Sequence, residues 1–182
     1  MFRVRGRRRG FTAVEVLAVT TILTSLGGGS FIGTTEMAHR TACEQHLRQI
    51  GMALQMRAMT DDPLPRAWFY PPDPPHPARE TYNLMRLMAS DVPANMFICP
   101  SAPTAIQQRG ICYVYNDLCG GKMLDEIPNP SMTWLMMDIN VVSSQVPPAH
   151  NGGCNVLFVD GHVKWYPASQ LPKFALPETP EQ

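Results

Sequence analysis

The sequence predicts an α+β chain, a long N-terminal membrane-spanning helix followed by a small antiparallel β-sheet head, and three observations predict it. A block of arginines opens onto an apolar run from Phe11 to Ile32. Cys43, Leu47, Ile50, Leu54 and Ala58 then recur at intervals of four, three, four and four, which is one face of a helix. Beyond Val92, short apolar or β-rich runs alternate with Pro, Gly and Asn, the pattern of strands and turns.

The leader comes first. Arg3, Arg5, Arg7, Arg8 and Arg9 are five of the fifteen basic residues; without them ten basic side chains face fifteen acidic ones. An acidic body with no second basic cluster excludes nucleic acid as the main ligand, because phosphate binding needs clustered Lys or Arg. A basic segment ahead of an apolar one is an export signal in outline. A secretory signal would be cut near Gly27-Gly28-Gly29-Ser30, and Arg8-Arg9 ahead of Phe11 fits a twin-arginine address. Neither explains Glu15, since a carboxylate entering a bilayer costs about 2.5–3.5 kcal/mol and points to a partner for its charge.

From Phe11 to Ile32 the run would cover roughly 33 Å as a helix, enough for a bilayer core. Thr20, Thr21, Thr24, Ser25 and the glycine triplet dilute it. The helix is expected to continue as an amphipathic stem supported by Glu36–Arg40 and Glu44–Arg48 pairs, and to end at Thr60-Asp61-Asp62-Pro63. Segments then divide as leader 1–10, stem 11–62, Pro-rich linker 63–79 and head 80–182. In the linker Trp68, Phe69 and Tyr70 are expected to anchor extended chain onto the head.

Residues 80–91 read as a short second helix, and strands are expected over Ile111–Tyr115, Thr133–Ile139, Asn155–Val159 and His162–Tyr166. Asp160-Gly161 between two apolar runs predicts a two-residue type I′ hairpin turn. That turn would pair Phe158 with Val163 and Val156 with Trp165, putting these four side chains on one core face and Leu157, Val159, His162 and Lys164 on the other.

Five cysteines in an exported chain point to disulfides. Cys43 stands alone on the stem, leaving Cys99, Cys112, Cys119 and Cys154 for at most two bridges or for buried reduced thiols. His150, Cys154, Asp160, His162 and Cys99 are residue types that bind zinc, but their spacing is no recognised ligand pattern, so no metal or other cofactor is predicted. His150 is expected to fix a loop by a hydrogen bond. A Cys154–His150 nucleophile pair lacks an orienting group, and no catalytic residue is predicted.

Gly10-Phe11-Thr12-Ala13-Val14-Glu15 resembles the processing site of type IV prepilins and type II secretion pseudopilins. The stretch "TACEQHLRQIGMALQMRAMTDDPLP" resembles pseudopilin-like stems, with His46 and Arg48 in place of Asn and Lys. "FICPSA", "CYVYN" and "IPNPSMTWLMMD" look like further segments of that family. In "HNGGCNVLFVDGHVKW", His150, nine residues and Asp160-Gly161 match the His-x9-Asp-Gly element that marks one prepilin-type family at its carboxy terminus.

The resemblance implies that a prepilin peptidase cuts between Gly10 and Phe11 and methylates the new amino terminus. Glu15 would neutralise the amino terminus of a neighbouring subunit as the helices assemble. It further implies a non-enzymatic subunit of a secretion or pilus filament, single-pass in the inner membrane, with its head in the periplasm and other pilin-like subunits as partners. The alternative is a soluble exported binding or metal-dependent enzymatic domain whose signal peptide is lost.

Overall fold

The computed structural model describes residues 12–27, 31–60, 62–76, 79–141, 146 and 149–170. The chain divides into two compact units, Met1–Thr35 and Glu36–Gln182. In the first, helix α1 runs over Ala13–Gly27. Its start is fixed by a reciprocal capping box: Thr12 N–H donates to Glu15 Oε2 at 2.8 Å and Glu15 N–H donates to Thr12 Oγ1 at 3.3 Å. Each end of the pair satisfies a backbone donor that the first helical turn leaves open.

The expected membrane-spanning helix is not found. Among the described residues no helix is long and apolar enough to cross a membrane. At 15 residues α1 reaches roughly 22 Å against a hydrocarbon core of about 30 Å. Helix α2, Phe31–Ala58, has the length but carries Glu36, Arg40, Glu44 and Arg48. The long spanning stem and the single-pass inner-membrane placement drawn from the apolar run are therefore overturned. Gly28, Gly29 and Ser30 lie outside the described residues.

In the second unit the α2 periodicity does what the spacing implies. Cys43, Leu47, Ile50 and Leu54 are fully buried, while Ala58 is only partly covered. Arg48 pairs with Glu44 as expected. Arg40 does not pair with Glu36; its guanidinium lies 4.5 Å from the Trp165 ring centre.

Four strands form one antiparallel meander in the order β1 (Tyr113–Tyr115), β2 (Trp134–Asp138), β3 (Gly153–Phe158) and β4 (Val163–Pro167). Tyr113, Tyr115, Met136, Leu157 and Val163 join the α2 face in the main core. On the opposite face Val114, Trp134, Met137, Cys154, Val156 and Phe158 form a second cluster, reached by Phe69 and Tyr70. A bulge between Trp134 and Met136 lets Leu135 join the main core beside Met136.

The hairpin differs from its expected register by one residue. Leu157 pairs with Val163 and Val156 with Lys164, and Phe158 N–H bonds to the His162 carbonyl at 2.9 Å. The loop is thus three residues, Val159 to Gly161, with positive φ at Gly161 (89°) and not at Asp160. A single left-handed glycine closing a three-residue loop replaces the type I′ turn. Val163 accordingly shares a face with Leu157, not with Phe158. Asp160 accepts from His162 N–H at 3.1 Å within this loop.

The segment over 80–91 forms only one helical turn, α3 (Leu84–Leu87), started by Asn83 accepting from Met85 N–H. Another single turn, α4, covers Thr104–Gln107. The proline-rich stretch is fastened to the head: Leu64 and Gly121 exchange with Lys122 and Leu64 carbonyls, and Tyr115 N–H bonds to the Phe69 carbonyl. Phe69 meets Trp134 edge-on, whereas Trp68, also expected as an anchor, is half exposed against Tyr82.

Gly51 brings α2 close to β3, since a Cβ there would lie 2.8 Å from Leu157 Cδ1. Leu157→Ala should open a cavity at this contact and lower unfolding free energy by about 2–5 kcal/mol. Gly153→Ala, whose new methyl would overlap the Tyr166 carbonyl and the Trp165 ring, should also destabilise. Denaturant unfolding of both variants checks this; unchanged midpoints would contradict the packing.

Candidate functional site

Four chemically reactive side chains from four parts of the head meet below its surface: Cys43, Cys99, Asp138 and His150, all nearly without solvent exposure. Cys43 is the first buried residue of the α2 face. Cys99 follows the helical turn Ala94–Phe97, and Asp138 ends β2. His150 lies in the turn that feeds β3, where His150, Asn151 and Gly152 have φ of 52°, 59° and 82°.

Positive φ is unusual for a side chain as large as histidine, and successive such residues need strong fixing by their surroundings. That fixing is present. Gly152 and Gly153 N–H both bond to the Ala149 carbonyl, and Trp165 Nε1–H donates to the His150 carbonyl at 3.2 Å.

Within the cluster His150 Nε2 stands 3.2 Å from Cys99 Sγ and 3.6 Å from Asp138 Oδ2. Cys43 Sγ lies 2.9 Å from the Tyr113 hydroxyl and 3.8 Å from Asp138 Oδ1. Asp138 Oδ2 also accepts from Asn155 N–H at 2.7 Å. On the other side of the imidazole, Nδ1 is 3.5 Å from Glu36 Oε1 without a well-aligned hydrogen bond. Glu36 Oε1 is itself held by the Ser101 hydroxyl at 2.9 Å.

Charge in this centre is distributed unevenly. Hydrogen bonds from Cys43 and then His150 overcome burial and bring the Cys99 thiol down to about 6. Burial works against protonation of His150, yet hydrogen bonding to Asp138 and Cys99 outweighs it and lifts the ring to about 10. Burial drives Cys43 and Tyr113 the other way, well above their ordinary ranges. Cys99 and His150 thus favour a thiolate–imidazolium pair beside a protonated Cys43; Asp138 supports the imidazolium, while its charge opposes the thiolate.

The sequence-singled residues separate in space. His150 joins Cys99, and the lone-standing Cys43 joins them. Asp160 and His162, the other members of the zinc-type set, lie at the opposite end of β3 and contact each other. Cys154 points into the second cluster, so the considered Cys154–His150 pair is replaced by Cys99–His150. All five thiols are buried and unbridged, including Cys112 and Cys119. Glu15 is fully exposed in the α1 capping box, and hydrogen bonds from Thr12 hold its carboxyl below the usual range. Gly10 and Phe11 lie outside the described residues.

Sequence reasoning missed Asp138 and Cys43 as partners of His150. Asp138 was legible only as an acidic residue ending an otherwise apolar strand. No family model, curated protein or solved structure matches the chain at a significant level.

Asp138→Ala would leave the Asn155 N–H without its acceptor and the imidazolium without its carboxylate. Loss of one partner of such a buried pair should cost about 3–5 kcal/mol. Thermal unfolding checks it, and a stability within experimental error of the parent would show that the carboxylate does not hold the centre together.

Proposed function

We propose that this chain is a pilin-like structural subunit, cut between Gly10 and Phe11 by a prepilin peptidase and assembled into a filament through its N-terminal helix. One observation carries the reading beyond the sequence resemblance. Val14, Val16, Leu17 and Val19 of α1 are 52–75% exposed, an apolar surface along the start of the helix. An uncovered surface of this kind gains roughly 25 cal/mol per Å² when buried. Equivalent helices of neighbouring copies supply the cover in this reading. It needs no bilayer-spanning length.

Cleavage before Phe11 creates an α-amine one residue ahead of the capping box. In the filament that cation meets Glu15 of the adjacent subunit and fixes the axial offset, since an ion pair removed from water tolerates little misplacement. The alternative of a soluble exported domain predicts a different mature terminus.

Mass spectrometry of the protein from its host should give an N-methylated Phe11 start. A start near Ser30 would overturn the proposal. Glu15→Leu should still be cut yet be depleted at least tenfold from sheared filaments relative to the parent. Thr12→Ala, which removes only the side-chain half of the cap, separates the two roles of Glu15: incorporation should persist. Normal incorporation of Glu15→Leu would refute the charge-pairing step.

A further inference from the structure

We propose that Cys43, Cys99, Asp138 and His150 form a closed, tetrahedral binding site for a divalent zinc-type cation that locks α2 to the sheet of the head. Two thiolates, one imidazole nitrogen and one carboxylate oxygen are a donor set suited to zinc. Zinc bonds of about 2.0–2.3 Å at tetrahedral angles put ligand atoms roughly 3.3–3.8 Å apart. The contacts within the cluster are 3.2, 3.6 and 3.8 Å, and all four ligand atoms lie within 4.8 Å of one another. Small side-chain adjustments close the set.

The surroundings match a metal centre more closely than a chance meeting of polar groups. A metal-bound histidine usually directs its free ring nitrogen at a carboxylate, which fixes the tautomer. His150 presents Nε2 to the cluster and Nδ1 to Glu36 Oε1, and that Nδ1 is a buried atom otherwise lacking a hydrogen bond. Glu36 is in turn oriented by Ser101. With Cys43 ionised by the metal, the Tyr113 hydroxyl 2.9 Å away would donate to its Sγ, and Asn155 N–H already holds Asp138. These donors offset the single net negative charge of two thiolates and a carboxylate around a dication.

A narrow crevice lined by Cys99, Cys112, Asp138, Asn140, Val146 and Ala149 borders two of the ligands. Binding needs no redox step. Two protons leave for solvent, whether they start on both thiols or on Cys43 and the imidazolium, and the metal takes their place. The left-handed backbone at His150 then has a reason: it aims the ring at ligands from α2 and β2.

Titration of the reduced full-length chain with Co²⁺ alone tests the proposal. One Co²⁺ per chain should bind, giving the visible absorption and thiolate charge-transfer bands of a tetrahedral site, and one equivalent of Zn²⁺ should bleach them. Cys99→Ser and His150→Gln should each weaken binding at least 100-fold, whereas Cys119→Ser, a buried thiol elsewhere, should not. Should the ligand variants fail to fold, Glu36→Gln, on a partly exposed side chain, should still weaken binding about 10–100-fold. Absence of stoichiometric cobalt binding by the parent would overturn the site. So would a native Cys43–Cys99 disulfide found by peptide mapping, or binding unaffected by Cys99→Ser.

Discussion

The head depends on one face of one helix. Cys43, Leu47, Ile50 and Leu54 deliver a strip of apolar surface onto the sheet, and β1, β2 and β3 answer it with Tyr113, Met136 and Leu157. Because α2 approaches so closely at Gly51, any larger residue there would have to displace the Leu157 side chain. That closeness also brings the Cys43 sulfur into reach of β2 and of the turn before β3. Hydrophobic packing therefore positions a polar centre that could not assemble by itself: a charge pair alone tolerates burial poorly, but here the surrounding core over-determines its geometry.

The two faces of the sheet do different work. The α2 side holds the reactive centre at one end and plain apolar contacts at the other. The far side is closed by the proline-rich stretch, whose Phe69 and Tyr70 reach the second cluster while backbone bonds fasten it at Leu64 and Tyr115. Extended chain without repeating hydrogen bonds of its own becomes ordered by borrowing donors and acceptors from the head.

Much of this was legible in the sequence because it is periodic or local. The α2 face follows from four spacings, and all four strands follow from runs between turn residues. The failures have physical causes. Asp160-Gly161 announces a hairpin, but whether one or two residues take positive φ depends on how Phe158 and Val163 pack, which no local pattern encodes. The short turn at Leu84–Leu87 shows apolar spacing outrunning helix length when Pro93 and the core claim the chain. The apolar run after Phe11 has the composition of a membrane span, yet among the described residues no helix is long and apolar enough to cross a membrane. Glu15 has a local answer in Thr12, three residues away, a pairing visible as Thr-x-x-Glu and overshadowed by the charge's cost in lipid. The centre around His150 was least legible, since its four members are scattered over more than a hundred residues and only the fold makes them neighbours.

The two ends of β3 carry different tasks: His150 before it turns toward the buried centre, and Gly161 after it closes the loop to β4. The nine residues separating His150 from Asp160 therefore act as a ruler. Their number is dictated by the span of a single strand plus its two corners, with alternate side chains assigned to opposite layers. Adding or deleting one residue inside that interval would transpose Cys154, Val156 and Phe158 with Asn155, Leu157 and Val159, exchanging the two interiors in a single stroke. A spacing that reads as a motif is in this light a length standard, and that length needs no chemistry at Asp160 to explain it.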